Sequence, residues 1–242
     1  MALGSQPRWT VRSADAQVGI DVGLRDYMLR VYNYMASGLA LTGIVAYVAA
    51  HTGFYVSIAS TPLIWLVILA PLGLVMLMGF GVQRMQASTL QLVFWIYSGL
   101  MGLSLATVFL VFTGASVARV FFITAGTFAA MSFYGATTKR DLSSFGNIAI
   151  MALIGLILAT VVNFFLRSAA VYWIISFLGV AIFVVLTAAD TQRIKRVMAE
   201  ADATGTGNFA ILGALTLYLD FINLFLFLLQ IFGQGETGTS RG

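Results

Sequence analysis

The chain has 242 residues, 60% of them hydrophobic and only 9% charged, with a net charge of +4 and a mean hydropathy of +0.95. A soluble domain carries about 25% charged residues, so composition alone defines an integral membrane protein with no sizeable soluble part. The chain has no cysteine, which excludes disulfides and thiolate metal sites, and its modest positive charge is no nucleic-acid signature.

Residues 1–20 are polar and are expected to be disordered, with an amphipathic stretch from about Gly19 leading into the first span. A cleaved signal peptide is not expected, because the polar leader is too long and the apolar run behind it is itself of spanning length. The membrane domain is assigned to residues 21–233 and a flexible C-terminal tail to 234–242. Seven apolar runs are long enough to span as helices: Val31–Ala50, Thr61–Phe80, Ser88–Phe112, Val117–Ala136, Phe145–Leu166, Val171–Ala189 and Phe209–Phe232. The sixth helix should run on to Met198. The short alternating segments of a membrane β-barrel are missing, so the predicted fold is an all-α seven-helix bundle.

Pro62 suits the first turn of the second helix, and Pro71 should kink its middle. Small residues at Ala36 and Ala40, Gly38 and Thr42, and Ala125 and Ala129 have the spacing of close helix contacts. The last run is apolar on nearly every side, which predicts a helix ringed by the others at the centre of the bundle.

Basic residues orient it. The N-terminal segment and the second, fourth and sixth connections hold ten of the thirteen Lys and Arg residues. Only Arg119, Arg167 and Arg241 fall on the opposite side. That bias predicts a cytoplasmic N-terminus and a cytoplasmic connection Ala199–Asn208. Lys139, Arg140 and Asp141 read as a solvated turn on the same side, and His51 as an interfacial residue at the outer end of the first span.

Asp220 stands near the middle of the last span. A carboxylate at that depth costs at least about 2.5–3.5 kcal/mol to insert and should face the bundle interior or a water-filled cavity. Asp190 closes the sixth run. If Met198 faces Phe209 across the hairpin, Asp190 lies opposite residue 217, about 4–5 Å in depth from Asp220. The two carboxylates can therefore meet. Simpler roles also fit: a hydrogen bond from Asn223 for Asp220, and an i,i+3 pair with Arg193 for Asp190. Two acids in apolar surroundings cannot both ionise cheaply, and such a pair titrates as a unit. Paired carboxylates also suit a divalent cation that prefers oxygen ligands.

The string Leu217-Tyr-Leu-Asp-Phe-Ile-Asn-Leu-Phe225 resembles the last-span signature of the Bax inhibitor-1 family (transmembrane Bax inhibitor motif proteins). Gly135-Ala-Thr-Thr-Lys-Arg-Asp-Leu142 resembles that family's connection after the fourth span, and Ala189-Asp-Thr-Gln-Arg-Ile-Lys195 its sixth-span ending. The resemblance covers roughly residues 20–233, points to a bacterial member, and implies a seven-helix fold with the last helix central. It further implies a pH-sensitive calcium leak in which Asp190 and Asp220 are the gating and transient calcium-binding pair. Some bacterial members pair these acids with a second-span arginine; here a gap-free match finds Gly81, with Arg84 a turn away. A glutamate–arginine pair of some members corresponds to Ala70 and Gln230.

The leading expectation is therefore a calcium conduit in a bacterial inner membrane, with no cofactor and no enzymatic activity. The alternative is an interaction protein that modulates a membrane-bound protease or a stress or cell-death partner. A presenilin-like protease is disfavoured, because Leu217-Tyr-Leu precedes Asp220 where those enzymes use Gly-x-Gly. The only lysines, Lys139 and Lys195, lie outside the last span, which disfavours a retinal receptor.

Overall fold

The structure, a computed structural model, describes residues 8–82, 84–200 and 206–235. Its described helices are α1 Arg8–His51, α2 Phe54–Ala59, α3 Leu63–Gly81, α4 Ala87–Ser104, α5 Ala106–Val111, α6 Gly114–Thr137, α7 Ser143–Leu166, α8 Ala169–Glu200 and α9 Thr206–Phe232. Among the described residues, seven stretches are long and apolar enough to cross a bilayer, and they coincide with the seven predicted runs. The chain is an all-α integral membrane bundle.

The helix α9 is the hub. It packs against α1, α4, α6 and α8, and 67% of its most apolar window is buried. The same measure is 17% for α3 and 11% for α7, which lean on α4 and α8 at the periphery. Lipid stands where an outer helix would have to be, so exposed Phe, Ile and Leu side chains on α7 cost nothing there.

The ends are set by local chemistry. Thr113 caps α6 by accepting a hydrogen bond from the Ser116 amide. Arg167 adopts a left-handed conformation at φ 50° and ends α7, while the Asn163 side chain accepts from the Ser168 amide at 3.0 Å. The turn into α8 is therefore short.

Several expectations change. The third span is broken at Leu105 into α4 and α5. Gly99 and Gly102 weaken the helix just before the break, and the Ser104 hydroxyl reaches across to the Val67 carbonyl of α3 at 2.6 Å. The backbone of α1 is helical from Arg8, inside the segment 1–20 expected to be disordered, because extending an existing helix costs far less than nucleating one. Residues 1–7 of that segment and 236–242 of the tail lie outside the described residues. Gln234 and Gly235, placed in the tail, pair with the α5–α6 connection: the Thr113 amide donates to the Gln234 carbonyl at 3.1 Å, and Phe112 bridges Gly235. Of the small-residue pairs, Gly38 and Thr42 are buried against α4, whereas Ala36, Ala40 and Ala129 are exposed. Spacing permits close approach; it does not say which face is approached.

Candidate functional site

Asp190 of α8 and Asp220 of α9 come together, as the hairpin register predicts. Their carboxylates lie within hydrogen-bonding reach of each other. Asp220 is only 4% exposed, and its Oδ2 is buried without a protein partner. Asp190 is half-buried. Two crevices converge on it. One, of about 350 Å³, runs between α7 and α8 past Asn147, Gln192, Arg193 and Arg196. The other, of about 280 Å³, runs between α1, α8 and α9 past Tyr27, Arg193, Leu212 and Thr216. Asp190 is thus the member of the pair that water can reach, and Asp220 stands behind it.

Arg193 is exposed, lines both crevices and interacts electrostatically with Asp190. It forms no ion pair within 4 Å of a carboxylate among the described residues. Two expected helpers are elsewhere. Arg84 is exposed in the turn after α3, with its amide bonded to the Gly81 carbonyl, and does not join the acids. The turn carries it past the end of the helix, where its guanidinium can remain in water. Asn223 donates to the Leu219 carbonyl at 2.8 Å rather than to Asp220. Three residues on from Asp220, its shortest route to an acceptor is the preceding turn of its own helix. Among the described residues, no third Asp, Glu, His or Cys joins the pair to make a metal-holding cluster.

Lys139, Arg140 and Asp141 are exposed, as a solvated turn requires, but the turn is not loose. It is tied down. The Gln192 side chain accepts from the Leu142 amide at 2.8 Å and donates to the Arg140 carbonyl at 2.8 Å. Lys195 donates to the Ala136 carbonyl at 2.9 Å, and Arg196 pairs with Asp141 at 2.9 Å. The Ser143 amide, the Arg196 guanidinium and the Ser143 hydroxyl hold the exposed Asp141 carboxyl well below the usual carboxylate range. Two strings that stood apart in the sequence, 135–142 and 189–195, thus form one clamp at the basic end. Close packing supports it. Gly135 abuts the Ala188 carbonyl, where any side chain would collide. Nearby, Ser132 and Thr191 hydroxyls meet at 3.2 Å.

At the same end, the Asn208 side chain donates to the Val82 and Met85 carbonyls at 3.0 and 2.9 Å. The second and fourth connections and the adjoining ends of α8 and α9, with Arg84, Lys139, Arg140, Arg193, Lys195 and Arg196, therefore share one face of the membrane domain. Much of the sixth connection (201–205) lies outside the described residues.

A second polar cluster was missed by sequence reasoning. On the opposite face of α9, the Tyr218 hydroxyl meets that of Thr42 at 2.7 Å. Thr42 donates to the Ser98 carbonyl at 2.9 Å, and the Tyr97 ring packs on Tyr218 at 5.4 Å. Tyr218 falls within the quoted last-span string, but hydroxyls carry no charge and give no signal of depth.

A seven-span bundle built round a central helix, with an aspartate pair at the foot of crevices from its basic end, defines a polytopic membrane protein with a buried acid site. The sequence profile described as "Inhibitor of apoptosis-promoting Bax1" matches residues 24–237, and the chain belongs to the Bax inhibitor-1 family. It is similar to the inner membrane protein YbhL of Escherichia coli (strain K12), 48% identical over 226 residues covering 91% of this chain and 97% of that protein. A Rickettsia prowazekii protein is 43% identical over 227 residues, covering 93% and 96%. One from Caulobacter vibrioides is 42% identical over 230 residues, covering 90% and 92%.

Proposed function

We propose that this protein is a pH-sensitive calcium conduit of the inner membrane, closed and opened by the Asp190–Asp220 pair, with its N-terminus in the cytoplasm. The observation that carries the reading is the pair itself: two facing carboxylates, one reached by crevices and one buried with an unpartnered oxygen. In acid, a proton shared between them bridges α8 to α9. As pH rises that proton is lost, and two like charges in a poorly solvated place either part the helices or recruit a cation. Calcium takes about 6–8 oxygen ligands, so an ion held by two carboxylates keeps most of its water and stays only in transit. Arg193, at the mouth of both crevices, tempers the field there. The name of the Escherichia coli relative supports the inner membrane, and the shared basic face supports the orientation.

The test is calcium flux into liposomes containing only the purified protein, from mildly acidic to mildly alkaline pH. Wild type should conduct more as pH rises, and Asp190→Asn and Asp220→Asn should each abolish that dependence. The effects should not add, because the pair is the unit. Absence of flux in the wild type would move the interaction-protein reading ahead.

A further inference from the structure

Phe183 lies seven residues before Asp190 on α8, and Phe227 seven residues after Asp220 on α9. Seven residues are about 10.5 Å of helix and return to nearly the same face. The two helices are antiparallel, so both steps lead the same way, from the acids toward the far end of the bundle. There the two rings stack, with centroids 5.9 Å apart and planes 28° from parallel. Phe183 is buried. Phe227 lies against Gly179, where an added Cβ would stand 2.6 Å from three of its ring carbons. The missing side chain is what lets the ring fill the seam. Farther out, the Ser176 hydroxyl donates to Gln230 at 2.8 Å.

The crevices stop on the other side of the acids. Every α8 residue that lines them is Ala189 or later, and every α9 residue is Thr216 or earlier. Water can reach Asp190 from the basic end, and two turns outward along the same seam the helices meet through an aromatic stack.

We propose that the Phe183–Phe227 stack, seated on Gly179, is the apolar gate that closes the α8–α9 seam outward of the acid pair. The proposal rests on the conduit reading and adds where the closed conduit is dry. A hydrated cation leaving the acids meets two rings whose faces are turned to each other and which offer no oxygen ligand. Constrictions of this kind hold a pore shut by excluding water. The rings sit on the same two helices as the acids, so a repulsion that parts the helices at the carboxylates parts the rings two turns away.

Calcium flux in liposomes of the full-length protein tests this with Phe183→Ala and Phe227→Ala. Each should raise flux at mildly acidic pH by about tenfold, equivalent to removing about 1.4 kcal/mol of closure. Phe227→Leu, which keeps apolar bulk, should stay near wild type. Phe227→Tyr preserves the ring and its packing while adding a hydroxyl to the seam, and should raise the acid leak even if an alanine variant does not fold. If wild type conducts with a pH dependence and Phe227→Tyr and the folded alanine variants keep its low acid flux, the stack is packing and no gate. If wild type carries no calcium at any pH, the conduit reading has failed instead.

Discussion

The two faces of α9 bury polar groups at similar depth and treat them differently. On one face, Tyr218, Thr42 and the Ser98 carbonyl form a chain of hydrogen bonds between neutral groups across α9, α1 and α4. The Tyr97 hydroxyl beside it is buried without a protein partner, at a cost of about 1–3 kcal/mol for a neutral group. On the other face, Asp220 confronts a second acid and leaves an oxygen unpartnered. A hydroxyl network is stable in one arrangement at every physiological pH. An acid pair can hold a proton or lose it, and on the proposed reading pH chooses between the two. The first face joins helices; the second is the one proposed to switch them.

The widest separation between the faces should come from pH. On the proposed reading, a proton held between Asp190 and Asp220 in the folded bundle contributes stability that is present in acid and lost as pH rises. Wild type should therefore melt at progressively lower temperature from mildly acidic to mildly alkaline pH in detergent. Asp220→Asn should remove that slope and melt higher than wild type at the alkaline end, because it takes away a poorly solvated charge. Tyr218→Phe should keep the slope intact. If Asp220→Asn retained it, the pair would not be the titrating unit.

A large but pH-independent effect is expected at Gly135. Its Cβ position collides with the backbone of Ala188, and a backbone cannot rotate aside as a side chain can. Gly135→Ala should force α6 from α8 and destabilise by about 1–3 kcal/mol, the range for overpacking a close contact. Loss of melting temperature should be equal across pH.

A smaller loss is expected from Thr42→Val, which keeps the shape and deletes both hydrogen bonds. Interhelical hydrogen bonds in membranes average about 0.6 kcal/mol, with a maximum of about 1.7. The variant should fall in that range. Paired with Tyr218→Phe, it should give less than the sum of the two single losses, because both remove the same bond.

Much of this molecule could be read from residues alone. Span positions follow from apolar length, and the central place of α9 from its lack of a polar stripe. The meeting of Asp190 and Asp220 follows from hairpin register, because a charge in hydrocarbon has few places to go. The Arg140–Gln192 and Thr42–Tyr218 contacts were illegible for the opposite reason. Ser, Thr, Tyr and Gln are tolerated at many depths and angles, and only the rotation of each helix decides whom they touch. The family resemblance points to Arg84 and proximity in sequence to Asn223 as helpers of the acids; a turn beyond a helix end and a carbonyl one turn back account for them instead. Gly179 has no signature as a seat for Phe227 until both helices are in place.

The smallest effect should come from Asp141, whose sign is opposite to that of the buried pair. Its carboxyl is held below the usual range by the Ser143 amide first, then by Arg196 and the Ser143 hydroxyl. A depressed carboxyl contributes stability above its unfolded value, and that contribution is lost as pH falls through the folded one. The clamp between the α6–α7 turn and α8 should therefore hold throughout the mildly acidic to alkaline range. Asp141 and Arg196 are 67% and 46% exposed, so solvent and salt screen their pairing. Asp141→Asn should leave the melting slope set by the buried acids unchanged and alter stability little at moderate salt. Gln192→Ala, which frees both the Leu142 amide and the Arg140 carbonyl from α8, should loosen the turn more than loss of the ion pair does. Hydrogen exchange at the Leu142 amide is the measurement: faster exchange in Gln192→Ala than in Asp141→Asn supports a clamp made of hydrogen bonds, and the reverse order would assign it to charge.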